Sequence, residues 1–147
     1  MLKKFACLFF FVTVLTLLSP LLAYWWGLSL LEHEPSPSLH TLTEQQRNRI
    51  WIKEFGVGAP RLKPISPYGY LAHLYCAYRN NPGSEKCASQ YPGLRVSALA
   101  IRNQVAEQVR GQGNTAWQLA WISYTIWVTR HWDIDQVLAT YHDAYNT

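Results

Sequence analysis

Hydrophobic and polar positions divide the chain into one long apolar run and five shorter stretches with helical spacing. The run extends from Phe5 to about Trp26 and is broken only by Thr13, Thr16, Ser19 and Pro20. A polar stretch from Glu32 to His40, with Pro35 and Pro37, follows as an extended linker that lifts the next part of the chain away. Thr43-x-x-Gln46 has the pattern of a capping box and opens a first helix. That helix carries Ile50 and Trp51 and ends near Phe55, where Gly56 and Gly58 stop it. Ser66-Pro67 opens a second, whose apolar Leu71, Leu74, Tyr75 and Tyr78 fall at helical spacing. Leu94, Ala98, Ile101, Val105 and Val109 mark a third, ended by Gly111 and Gly113. Asn114 is placed to cap a fourth. Trp117, Trp121, Tyr124 and Val128 line one of its faces and Leu119, Ile122 and Ile126 the others, so it belongs in a core. Asp133-x-x-Gln136 caps a fifth, with Val137, Leu138, Tyr141 and Tyr145 inward. No stretch alternates with a period of two. The expected fold is all-α: one small helical domain over residues 43–147, behind a membrane segment at 1–27 and a linker at 28–42.

Lys3 and Lys4 precede the apolar run, which places the N-terminus in the cytoplasm and the bulk of the chain outside. Leu21-Leu22-Ala23 is a poor cleavage site, and Tyr24-Trp25-Trp26 suits an interfacial aromatic belt, so the run reads as a retained signal-anchor in an inner membrane, crossed once, with the domain in the periplasm. The alternative is a cleaved export signal. Cys7 sits too early in the run for a lipoprotein. Export leaves Cys76 and Cys87 as an even pair around the turn-forming Asn80-Asn81-Pro82-Gly83-Ser84. In an oxidising compartment they can close a structural disulfide; otherwise they are two separate buried thiols.

Composition narrows the partners. The 147 residues hold 13 Lys and Arg against 9 Asp and Glu, with seven Trp and nine Tyr. That is enough apolar mass for one modest core and too little positive charge to imply nucleic acid. A mild basic excess suits anionic lipid or phosphate. No phosphate-binding glycine loop and no zinc-spaced Cys/His set occurs, and no metal site is expected from the residues.

Candidate chemistry concentrates at few positions. Glu54 closes an aromatic helix beside Trp51 and Phe55, where partial desolvation is expected to raise its pKa and suit it to proton transfer. The ordinary reading is a solvated carboxylate at a helix end, or a partner of Lys53. Gly113-Asn114-Thr115-Ala116-Trp117-Gln118 gives a helix a polar start whose free N–H groups attract anions, or is a plain cap. Asp143 lies near the C-terminus. His33, His40, His73, His131 and His142 show no ligand spacing.

The segment Arg130-His131-Trp132-Asp133-Ile134-Asp135-Gln136-Val137-Leu138-Ala139-Thr140-Tyr141 resembles the fourth motif of glycosyltransferase family 51, the peptidoglycan glycosyltransferase domain of penicillin-binding proteins and monofunctional transglycosylases. Val137-Leu138 falls on the Ile-Leu of K-x-x-I-L-x-x-Y-L-N and Tyr141 on its Tyr. Ile50-Trp51-Ile52-Lys53-Glu54-Phe55 looks like the apolar run into the first motif, with Glu54 on the catalytic Glu. Gly113 to Leu119 is similar to G-x-S-T-I-T-Q-Q, one residue short. The chain departs from the family in lacking an Asp after Glu54, the F-x-x-H-x-G tail and the R-K-x-x-E motif. Ile134 stands for the motif Lys and Asp143 for its Asn.

The resemblance implies a compact, lysozyme-like or transglycosylase-like domain acting on peptidoglycan or lipid II. Glu54 would be the base, with Arg61, Lys63, Arg102, Thr115, Gln118, Arg130, Tyr141 and Asp143 around the substrate. A divalent metal is possible by the same resemblance. Two alternatives stand beside it: a non-catalytic accessory protein that binds glycan or a cell-wall synthase, and lysozyme-like glycan cleavage.

Overall fold

The computed structural model describes residues 2–54, 58–80 and 85–145. It is all-helical, with no strand among the described residues. Among the described residues seven helices follow one another: α1 (Leu2–Leu28), α2 (Glu44–Lys53), α3 (Pro67–Asn80), α4 (Glu85–Gln90), α5 (Leu94–Gln108), α6 (Asn114–His131) and α7 (Ile134–Tyr145). Two helix starts are set by reciprocal side-chain caps. The Gln46 N–H donates to Thr43 Oγ1 and the Thr43 N–H to Gln46 Oε1; the Gln136 N–H donates to Asp133 Oδ1 (2.8 Å) and the Asp133 N–H to Gln136 Oε1 (2.9 Å). Each box satisfies end groups that the helix itself leaves unpaired. At α6 the cap is Gly113, and Asn114 is already the first helical residue with no capping bond from its side chain. Phe55 and Gly56, expected at the end of α2, and the turn at 81–84 lie outside the described residues. The short α4 after that turn had no periodic signal, being only six residues long.

The main core is built where α2, α5, α6 and α7 meet, around Trp51, Ile101, Val105, Ala120, Val128, Val137 and Leu138. The stripes expected on α5, α6 and α7 largely supply it. Tyr145 is the exception: it is 42 % exposed and leans on the Tyr141 ring. Cys76 of α3 and Cys87 of α4 are disulfide-bonded, with their Cα atoms 5.8 Å apart. Constraining so short a loop contributes about 2–3 kcal/mol.

α1 contains one stretch, Phe9–Leu28, long and apolar enough to cross a membrane. Its last turns are not held apart from the domain. Gly27 meets Leu119 and Ser123 of α6, Tyr24 packs with Ile126, and the Tyr124 hydroxyl donates to the Leu28 carbonyl at 2.9 Å. The two helices therefore run antiparallel in close contact. Farther toward the N-terminus, the Tyr68 hydroxyl at the start of α3 donates to the Leu17 carbonyl at 2.6 Å.

The segment expected to be a free spacer is instead tied down. Gln108 exchanges two hydrogen bonds with the backbone of His33, and Gln104 does the same with Ser36. Ser38 donates from its N–H to Thr140 and from its hydroxyl to Asp143. The two glutamine amides act as a short imitation strand for a proline-bearing segment with no helix of its own. Replacing Gln104 and Gln108 together by alanine is expected to release this strap at a cost of about 1 kcal/mol per residue. Limited proteolysis between residues 32 and 42 reads the release; an unchanged cleavage rate would show that the amides do not hold it.

On α3, Leu71, Leu74, Tyr75 and Tyr78 are 49, 45, 61 and 88 % exposed. The helix turns Pro67, Tyr70, His73 and Ala77 toward the domain. Spacing identifies an apolar face on a helix but says nothing about which surface covers it.

Candidate functional site

A cavity of about 290 Å³ opens between the end of α2, the inner face of α3, α4 and the start of α5. Trp51 and Glu54, Tyr70 and His73, Arg95 and Arg61 are among its walls. Each reaches it for a local reason. Glu54 is the C-terminal cap of α2, one turn after the buried Ile50 whose carbonyl accepts the Glu54 N–H at 3.1 Å. Tyr70 and His73 are three apart on one face of α3. Arg95 stands in the first turn of α5, which begins at Gly93 with φ of 83°. A Cβ on Gly93 would lie 2.9 Å from the Arg61 carbonyl oxygen, so a glycine lets the 60–65 loop close on the helix start and brings Arg61 to the cavity.

Glu54 is the only carboxylate lining the cavity among the described residues. Its side chain is 10 % exposed, and both oxygens are engaged: Tyr141 Oη donates to Oε1 at 2.6 Å and Arg95 Nε to Oε2 at 3.0 Å. Burial alone raises its pKa, as expected from Trp51. The hydrogen bonds from Tyr141 and Arg95, with the charges of Arg95 and Lys53, outweigh burial and hold the carboxyl below its ordinary value. The expected upward shift is thus reversed, because two donors arrive from helices distant in the chain. Burial, and then the bond to Glu54 and its charge, push the Tyr141 phenol upward, so it stays a donor at neutral pH.

His73 is lowered by burial against a backbone hydrogen bond with Cys87 that acts the other way, which leaves a neutral imidazole near neutral pH. Its Nδ1 and the Trp51 Nε1 are buried polar atoms without a hydrogen-bond partner among the described residues. Buried polar groups are nearly always bonded, so two such atoms on one cavity's walls mark it as a place where a ligand or water completes them. With Arg61, Arg95, the Glu54 carboxylate and aromatic rings on its walls, the cavity offers donors, acceptors and apolar faces together.

No family model, curated protein or solved structure matches this chain.

The remaining expected residues are scattered. Lys63 donates to the Gln90 carbonyl at 2.9 Å and lies over the Tyr91 ring, holding the loop that carries Arg61. Arg102 is exposed on α5, and Thr115 and Gln118 are exposed on the first turns of α6. Arg130 is exposed at the end of α6, close enough to Tyr24 of α1 to act on its hydroxyl. Asp143 accepts from Ser38 and so secures the strap. Of the nine candidates, Glu54 and Arg61 line the cavity, and Tyr141 acts on it through Glu54. Among the described residues, Gln118 and Arg130 do not line the cavity that holds Glu54. Among the described residues no three His, Cys, Asp or Glu side chains are grouped to hold a metal ion, so the divalent metal that the resemblance allows finds no ligand set.

Arg95, Tyr70 and His73 escaped sequence reading. Tyr70 and His73 share a face of α3 beside an apolar stripe, and spacing alone does not say which of the two faces the cavity. Arg95 carries no local signal, since its partner lies 41 positions earlier.

Tyr141→Phe tests the electrostatics. The depressed Glu54 pKa contributes stability that is complete above the unfolded glutamate range and is lost as pH falls through the folded value. Removing the hydroxyl raises the folded value and shrinks that contribution. The variant should be less stable near neutral pH by about 1.5–3 kcal/mol, the range for a hydrogen bond to a charged group. The gap should narrow as pH drops below the glutamate range. Denaturant unfolding across pH measures it, and a gap independent of pH would show that Tyr141 does not stabilise the charge.

Proposed function

We propose that the protein is a membrane-anchored, non-catalytic binding protein of the cell wall, whose cavity holds a sugar unit of peptidoglycan or of its lipid-linked precursor. The observation that carries this reading is the Glu54 carboxylate fixed between Tyr141 and Arg95 on the wall of a part-aromatic cavity. A fixed, planar carboxylate beside a guanidinium presents an acceptor and donors at set positions, and aromatic walls cover the apolar faces of a sugar ring. The apolar N-terminal helix after two lysines and the Cys76–Cys87 bond support an anchored domain on the oxidising side of an inner membrane. A cell-wall synthase is a further partner consistent with that location.

Binding is preferred to catalysis on electrostatic grounds. A carboxyl held below its usual pKa carries no proton to give at neutral pH, and no second carboxylate lines the cavity among the described residues, so lysozyme-like cleavage lacks its acid and its pair. The same depression weakens Glu54 as a base for glycosyl transfer. It does leave the residue ionised, which is the state a transferase base needs and the one feature that favours the enzymatic reading.

The test uses the full chain in nanodiscs, titrated with soluble peptidoglycan fragments and assayed separately for lipid II polymerisation. Binding by the wild type without polymer formation is expected, with Glu54→Gln weakening binding about tenfold or more, as loss of a charged hydrogen-bond acceptor implies. Polymer formation abolished by Glu54→Gln would establish the transferase instead. Absence of both binding and polymer would remove the cell-wall reading.

A further inference from the structure

We propose that α3 is a second membrane element: its exposed apolar face is seated in the outer part of the same bilayer that α1 crosses. The outward face carries Tyr68, Leu71, Tyr75 and Tyr78, each at least 45 % exposed, with Leu74 at its edge where it also lines the cavity, while the inward face carries the only ionisable imidazole of the helix, His73. This is the reverse of a helix on a water-facing surface, where polar residues point outward. An apolar face of this size needs a cover.

The cover is identified by the position of α3 along α1. Lys4 marks the cytoplasmic end of the apolar run. At 1.5 Å per residue, the thirteen steps from Lys4 to Leu17 span about 20 Å, short of the roughly 30 Å of hydrocarbon in a bilayer. A crossing that begins at Lys4 therefore leaves the hydrocarbon near Tyr24, Trp25 and Trp26, and Trp25 and Trp26 are 65 and 63 % exposed, as belt residues are. Tyr68 is bonded to the Leu17 carbonyl, eight residues before Trp25 and so about 12 Å on the lipid side of that belt. The start of α3 consequently lies at lipid depth, comparable with the roughly 5–10 Å to which interfacial helices sink. Three of the four outward residues are tyrosines, a residue enriched at this boundary, and Arg79 follows at the end of the helix, where a cation meets headgroup phosphates. The lipid face of α1 and the outward face of α3 thus form one continuous apolar surface. Because the other face of α3 walls the cavity, that cavity is held close to the headgroups.

The inference does not depend on what the cavity binds. It requires that α1 stay in the membrane, which the native Cys7 reports directly, since it is free and exposed on α1. A nitroxide is attached to Cys7 in the wild type, and to Leu71→Cys, Tyr75→Cys or, as a control on α5, Asn103→Cys in a Cys7→Ser background. All are reconstituted full-length in phosphatidylglycerol-containing vesicles. All three introduced positions are exposed, so the labels leave the packing intact. Oxygen collisions should exceed those of a water-soluble nickel chelate at Cys7, Leu71 and Tyr75, with the reverse at Asn103. Nickel access at Leu71 and Tyr75 with Cys7 in lipid would overturn the seating of α3 and leave the anchor standing. Nickel access at Cys7 as well would overturn both. Protection from both reagents at Leu71 and Tyr75, with dipolar broadening between labels, would assign the face to a second copy of the chain and overturn the lipid contact.

Discussion

Trp51→Ala is expected to destabilise the protein by about 3–5 kcal/mol, the range for deleting a large buried aromatic side chain. Against total stabilities of about 5–15 kcal/mol, that is a large share. Trp51 is 1 % exposed and belongs to the main core, while also forming a wall of the cavity. Its removal costs the transfer of the indole from water and the contacts it makes on the core side. On the cavity side the new void merges with space already present, so water can enter and the cost falls toward the lower end of the range. Trp51→Phe separates packing from recognition. The ring is largely kept, and the Nε1 that is lost has no partner among the described residues, so stability should change by only about 1 kcal/mol. If the indole N–H serves the ligand, Trp51→Phe should still weaken fragment binding. Thermal unfolding in micelles measures the first effect and titration the second. A loss below about 1 kcal/mol for Trp51→Ala would show that the side chain is not packed as described.

Gly27→Val is expected to force α1 and α6 apart. A Cβ built on Gly27 lies 2.1 Å from Ser123 Oγ, 2.7 Å from Ser123 Cβ and 2.6 Å from the Leu119 carbonyl oxygen. A rotamer change relieves the first of these, but the carbonyl belongs to the α6 backbone and moves only with its helix. Small residues at such crossings are what allow two backbones to approach. Overpacking of this kind costs about 1–3 kcal/mol, and separation of the helices adds loss of the Tyr124 bond to the Leu28 carbonyl. Ser123→Gly in the Gly27→Val background removes two of the three clashes, so it should restore part of the stability and not all of it. Unfolding temperatures of the two singles and the double decide the matter. Full additivity would show that positions 27 and 123 are not in contact.

The positions of the helices were legible in the sequence to within a few residues, and so were the capping boxes at Thr43 and Asp133, because each depends on groups three or four positions apart. The stripes of α5 and α6 were legible because those helices have apolar residues on the faces that other helices cover. On α3 the spacing marks a helix with an apolar stripe, but periodicity carries no information about what covers that stripe. Glu54 was legible as a carboxyl among aromatics. The direction of its pKa shift was not, because the donors that reverse it come from Arg95 and Tyr141, 41 and 87 positions away.

What the sequence determined by itself is therefore what near neighbours determine: an apolar helix behind two lysines, five of the six further helices, their starts, and an all-α class. Backbone hydrogen bonds and caps close over three or four residues, so local order suffices for them. The tertiary structure alone decided which acid meets which cation, that the strap lies along α5, and that α3 shows its leucines and tyrosines to the outside. Those outcomes depend on the low-dielectric space and shared surfaces formed when distant helices come together, and a charge or an apolar face acquires its energy only from what then stands against it.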